Sequence, residues 1–109
     1  MKNMYVLHLD HNLLTELPMK FGEFKNLRDL YLNNNQLTTL PPTFGDLIGL
    51  RYVFLGVNQL NSIPPEIGEI TGLQYLSLIN NNLTSIPQKV CDLENSGTNI
   101  SMDEGVICE

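Results

Sequence analysis

The sequence predicts an α/β solenoid: short strands stacked side by side as a parallel sheet, with extended or 3₁₀ segments carrying the chain back between them. Three observations point there. Sliding the 109-residue chain against itself by 23 residues brings it into phase over residues 4–95 without a gap. Each unit so defined opens on alternating apolar and polar residues, the period of a half-buried strand. Finally, 19 Leu are accompanied by 13 Asn, so core-forming and turn-forming residues recur together. Identical units placed side by side make parallel strands, and parallel strands need a crossover.

The units are 4–26, 27–49, 50–72 and 73–95. In the strand, Leu30 and Leu32 alternate with Asp29, Tyr31 and Asn33, and the equivalent inward pairs are Leu7/Leu9, Val53/Leu55 and Leu76/Leu78. Each strand runs into Asn12, Asn35, Asn58 or Asn81. A stack of turns leaves backbone N–H and C=O groups inside every bend, and an Asn amide both donates and accepts, so these four predict an asparagine ladder. Leu14, Leu37, Leu60 and Leu83 then point inward. Leu17, Leu40, Ile63 and Ile86 precede Pro18, Pro41, Pro64 and Pro87, which keep the return arm extended there. Phe21, Phe44, Ile67 and Val90, then Phe24, Leu47, Ile70 and Leu93, close the core on a segment long enough for about one turn of 3₁₀ helix. Four strands about 4.8 Å apart give a sheet roughly 20 Å wide.

The spacing LxxLxLxxNxLxxLPxxxGxLxx over residues 4–95 resembles the leucine-rich repeat family. The 23-residue length and the Leu-Pro or Ile-Pro step are most similar to bacterial repeats of the Leptospira type and to animal Ras-pathway scaffold repeats. Plant receptor repeats differ in carrying Gly where Thr39, Ser62 and Ser85 stand here. The resemblance implies a right-handed leucine-rich repeat arc, with the parallel sheet on its concave face and the extended or 3₁₀ segments on its convex face.

The two ends read differently. Residues 1–95 hold four repeats, and residues 96–109 read as a degenerate fifth that acts as a C-terminal cap. With one residue inserted, Ile100 and Met102 take the inward strand places, Gly105 stands at the Asn position and Ile107 takes the next Leu column. Cys91 replaces the Gly of Gly22, Gly45 and Gly68. Cys91 and Cys108 are either a disulfide closing a loop of about 18 residues, worth roughly 3 kcal/mol, or two unrelated thiols. The resemblance favours the disulfide, because extracellular repeat proteins often carry such caps. A disulfide implies a secreted or cell-surface protein, reduced thiols a cytoplasmic one. The sequons at Asn82 and Asn99 are weak evidence in so Asn-rich a chain. Residues 92–109 carry five acids and no base, which keeps that edge soluble. At the other end residues 1–4 align with 24–27, inside a repeat and without a cap. This is either a fragment of a longer array or an open edge that pairs with another copy as a homo-oligomer.

Several functions are disfavoured. A net charge of −6 argues against nucleic acid. No apolar run approaches about 18 residues, so no membrane insertion is expected, and His8, Asp10 and His11 interrupt any signal-like apolar stretch in residues 1–20. There is no phosphate loop, HExxH or G-x-S-x-G, and Ser77 and His8 stand three strands apart, roughly 14 Å. The chain therefore reads as no enzyme, with no cofactor. His8, Asp10 and His11 are suitable ligand types but lack a fourth, so a solvated face is expected and no metal.

The outward strand columns carry the functional expectation. Tyr31, Tyr52, Phe54 and Tyr75 fall on adjacent strands, Val57 and Ile79 extend the apolar surface, and Asp29, Arg28 and Arg51 flank it as a polar rim. The other three Phe fall in core columns, so core packing does not explain Phe54. Gly56 either leaves a dip for a partner side chain or is neutral. An exposed Tyr/Phe patch has the composition of a binding hot spot. The expected function is non-catalytic recognition of a protein or peptide ligand. The rival readings are cross-strand packing that only stabilises the sheet, glycan binding with Asn33, Asn34 and Asn80 reading hydroxyls, a self-assembling structural unit, and an inhibitor of a secreted hydrolase.

Overall fold

A computed structural model describes residues 3–109. The alternating Leu pairs form strands β1 (Val6–His8), β2 (Asp29–Tyr31), β3 (Tyr52–Phe54) and β4 (Tyr75–Ser77), with β5 (Ser85–Ile86), β6 (Asn99–Ser101) and β7 (Ile107–Cys108) following. The main sheet is parallel in the order β1-β2-β3-β4-β6. Leu7, Leu30, Val53, Leu76 and Ile100 stand opposite one another across it. Its five strands exceed the four-strand width expected from the sequence, because the chain after Leu93 turns back in time to add β6. Gly97, at φ 100°, makes that turn. Thr98 fixes it by donating from its N–H to Leu93 O at 3.1 Å and from Oγ1 to Leu73 O at 2.6 Å.

Backbone pairing continues past the named strands, with Leu9, Leu32, Leu55 and Leu78 N–H groups donating to the next unit. The chain then bends at His11, Asn34, Val57 and Asn80, all at φ between 54° and 62°. Inside the bend the asparagine side chains satisfy the backbone. Asn58 Nδ2 donates to Leu32 O, Leu55 O and Gly56 O at 3.0–3.2 Å, and its Oδ1 accepts Leu37 N–H at 3.1 Å. Asn35 and Asn81 repeat the pattern. Asn12 donates only to Leu9 O and Asp10 O of its own unit and is exposed.

The return arms are 3₁₀ at Met19–Glu23, Pro42–Asp46 and Pro65–Glu69, each entered through an extended Pro. The fourth arm differs: α1 (Gln88–Cys91) runs into a 3₁₀ segment at Asp92–Ser96. The arms lie so close that a Cβ on Gly45 would sit 2.5 Å from Glu66 O, and one on Gly22 would fall closer still to Thr43 O. Glycine is therefore required wherever another arm packs alongside. Cys91 is free of that constraint and is bonded to Cys108, with Cα atoms 6.2 Å apart. The second sheet pairs β5 with β7 in parallel.

Ile107 does not take the Leu column expected of it. It stands opposite Ser85 rather than Leu83 and is 55% exposed, while Val106 packs against the core. Gly105, at φ 92°, tightens the chain into a turn closed by Val106 N–H to Asp103 O, so the fifth unit arrives early. Between these ends runs one continuous core, in which Leu30, Leu32, Leu37, Val53, Leu55 and Leu60 are fully buried.

Candidate functional site: the concave sheet

His8, Tyr31 and Phe54 occupy one register row on β1, β2 and β3. Strand spacing of about 4.8 Å sets the distance between their rings. His8 and Tyr31 stack with centroids 4.3 Å apart at 13°, and Tyr31 and Phe54 at 4.8 Å and 6°. Tyr75 leans onto Phe54 at 5.5 Å and 51°. Ring contacts thus join Tyr31 and Phe54 to Tyr75, which stands in the adjacent register row of Tyr52, and add His8. The signal for His8 is its column, which it shares with Tyr31 and Phe54; the sequence expectation of a solvated face for His8, Asp10 and His11 leaves this stacking out. Both faces of Tyr31 are covered by stacked rings, and Phe54 has Tyr31 stacked on one side and the tilted ring of Tyr75 against the other, so what they offer outward is chiefly ring edges.

Tyr52, 39% exposed, stands beside this row and donates its hydroxyl to Gln74 Oε1 at 2.7 Å. Tyr75 donates to Ser101 Oγ at 2.9 Å. Ser77, in register with Phe54, is buried: its side chain is too short to reach past Phe54 and Ser101. Val57 and Ile79 are 44% and 40% exposed and continue the apolar surface. Asp29 is half-buried, and Arg28 and Arg51 are exposed.

Gly56 leaves no dip. A Cβ there would lie 3.1 Å from Asn33 Oδ1 and 3.2 Å from Ile79 Cγ1, so these two side chains close over it. Gly56 N–H donates to Asn33 Oδ1 at 2.7 Å. This bond belongs to a second polar ladder that repeat spacing alone did not reveal. Asp10 Oδ1 accepts Asn33 N–H at 2.6 Å, and Asp103 accepts the N–H groups of Asn80 and Asn81 at 2.8 and 3.2 Å. Asp10 is thereby engaged by backbone while His8 is engaged by Tyr31, and Asn33 Oδ1 is not free to read a ligand hydroxyl. Outward side chains at strand ends are individually variable, which hides their shared task of accepting a neighbouring N–H.

A family model described as leucine rich repeat matches residues 2–60, and a second matches residues 72–93. The chain belongs to the leucine-rich repeat family. Among solved structures, this repeat protein is similar to a leucine-rich repeat protein of Leptospira interrogans, with 35% identity, a TM-score of 0.79, and coverage of 90% of this chain and 25% of that one. It is also similar to the plant peptide hormone receptor RGFR1 in complex with RGF2, at 30% identity and TM-score 0.81, covering 94% of this chain and 17% of that one. The ectodomain of the receptor kinase SOBIR1 from Arabidopsis thaliana, 24% identical with TM-score 0.75 over 94% of this chain and 59% of that one, shares the fold. The repeat protein spans a quarter or less of the first two neighbours. No curated protein matches it. Among the described residues, no helix is long and apolar enough to cross a membrane.

Proposed function

We propose that this leucine-rich repeat chain is a non-catalytic recognition module that binds a protein or extended peptide on its concave sheet. Tyr31, Tyr52, Phe54 and Tyr75 form the anchor, Val57 and Ile79 widen it, and Asp29 and Arg51 lie at its rim. Residues 96–109 serve as the cap of the four repeats in residues 1–95, and their disulfide suits an oxidising, extracellular setting.

The observation that carries this reading is Val57. At φ 54° it lies in the left-handed region, which costs a β-branched residue roughly 1–2 kcal/mol. The equivalent positions are His11, Asn34 and Asn80, residue types that tolerate that region better. The Val57 side chain is 44% exposed, so core packing does not offset the strain. Strain without a structural return is what a binding surface retains. Val57→Asn is expected to stabilise the fold by about 1 kcal/mol in chemical denaturation while weakening partner binding. A destabilised variant would remove this argument.

Ring geometry separates a peptide from a glycan. Sugar stacking needs an open aromatic face, and the faces of Tyr31 and Phe54 are taken. Ring edges beside Tyr hydroxyls and aliphatic tips suit a peptide better. The similarity to a receptor structure that holds a peptide hormone supports the same class of partner.

A second reading has its own observation. Tyr5, Val6 and Leu13 are exposed on the first unit, and among the described residues Asn12 Oδ1 receives no N–H like those that Oδ1 of Asn35, Asn58 and Asn81 each accept. That edge favours pairing with another repeat, including a second copy.

The test is a comparative pull-down with wild type and a Tyr52→Ala/Phe54→Ala variant, both shown folded by circular dichroism. Partner capture by wild type alone is the expected result. Equal capture by both would remove the concave face from the mechanism. Concentration-dependent dimers that both proteins form equally would favour the edge.

A further inference from the structure

Arg28 and Arg51 are the only two arginines in the chain, and they open neighbouring strands. Arg51 N–H donates to Arg28 O at 2.8 Å, which holds the two residues one strand spacing apart. Both are exposed. Among the described residues neither guanidinium has an ion pair or a hydrogen bond, although the chain carries 12 carboxylate side chains and a net charge of −6. Like charges side by side on adjacent strands repel, and among the described residues no carboxylate forms an ion pair with either of them.

Asp10 and Asp103, at the far ends of the strands, accept backbone N–H groups. Asp29 is half-buried and makes no ion pair with either arginine. Across the next strand the row continues with Gln74, whose Oε1 accepts the Tyr52 hydroxyl, leaving its amide nitrogen as donor. One margin of the concave sheet is therefore a strip of donors, Arg28, Arg51 and Gln74, running beside Tyr52. The opposite margin carries Asp10, Asn33 and Asp103. A guanidinium fork matches a carboxylate in two parallel hydrogen bonds, and two forks one strand apart match two acidic side chains.

We propose that the strip formed by Arg28, Arg51 and Gln74 is the docking site for Asp or Glu side chains of an extended peptide that lies across the strands. This rests on the reading of the concave face as a peptide-binding surface and names the chemistry of its ligand. The apolar side chains of the same peptide meet Tyr52 and Phe54, and the acidic ones fix its direction and register. In a chain of net negative charge an acidic ligand is repelled at long range, so its binding depends on this local strip.

The experiment is selection of random dodecapeptides displayed on phage against the immobilised, disulfide-intact protein. Enriched sequences are then synthesised with amidated C-termini, so that side chains supply any carboxylate, and measured by fluorescence anisotropy. The expected peptides carry Asp or Glu at a fixed position, and bind Arg28→Ala/Arg51→Ala at least tenfold more weakly. Arg28→Lys/Arg51→Lys, which keeps the charge and loses the fork, is expected in between. Enriched peptides without acidic residues, or acidic peptides that bind the alanine variant unchanged, overturn the proposal; loss of their binding in Tyr52→Ala/Phe54→Ala would still uphold the concave face. No enrichment over an unrelated protein overturns the proposal together with the reading beneath it.

Discussion

The first and last full repeats are built on one pattern and live in different surroundings. Leu7, Leu9 and Leu14 are only half-buried, whereas their counterparts Leu76, Leu78 and Leu83 are buried. Asn12 bonds only its own unit, whereas Asn81 reaches back to Leu55 O and accepts Leu60 N–H. Little in the local sequence separates them. The last repeat has β6 on one side, and a disulfide and β7 over its convex arm; among the described residues the first has a neighbouring strand on one side only. In a solenoid, stability resides chiefly in the contacts between units rather than in each unit.

The largest test of this contrast is to loosen the closed end. Reduction, or Cys91→Ser with Cys108→Ser, is expected to cost about 3 kcal/mol and to lower the melting temperature by roughly 10–20 °C for a domain of this size. Hydrogen exchange would then rise first in β5, β6 and β7. An unchanged melting temperature would mean that packing of Val106 and Ile100 holds the end without the bond.

A smaller effect compares the same substitution at both kinds of position. Asn58 is 8% exposed, and truncating it to Ala strips partners from three carbonyls and one N–H inside the stack. A loss of about 2–3 kcal/mol is expected. Asn12→Ala, at the exposed end, should cost under about 1 kcal/mol. Equal losses in urea titrations would show that the first unit is stabilised as firmly as the interior.

Much of the fold was legible because a repeat reports every feature several times over. The strand register, the asparagine bends and the proline-led return arms each recur at a fixed interval, so one unit corroborates the next. What escaped was whatever occurs once or depends on cross-strand geometry. Gly105 shortens the fifth unit by a turn that no other unit contains, so repeat spacing points Ile107 inward although Val106 is the residue that packs. Gly56 suggested a dip because its missing side chain is visible in sequence, while the closure of Asn33 and Ile79 over it is not. The aromatic columns brought Tyr31, Phe54 and Tyr75 together, but ring stacking, and with it the covering of their faces, follows from strand spacing and rotamers. The left-handed strain at Val57 likewise needed backbone angles.

A more local effect concerns the glycine column. Gly45→Ala places a Cβ 2.5 Å from Glu66 O and 2.7 Å from Glu66 Cβ, and backbone cannot yield as a side-chain tip can. The two arms must separate, at a cost of about 2 kcal/mol. Gly72, in the turn between units, has nothing within 4 Å and a negative or ordinary φ, so Gly72→Ala should be neutral or stabilising by up to about 1 kcal/mol. Cys91 occupies the same column as Gly45 and keeps its side chain because, among the described residues, only β6 and β7 follow its arm. The substitution pattern therefore traces where units touch. If Gly45→Ala were tolerated as well as Gly72→Ala, close packing between arms would not be what reserves this column for glycine, and the exchange for Cys91 would need another cause.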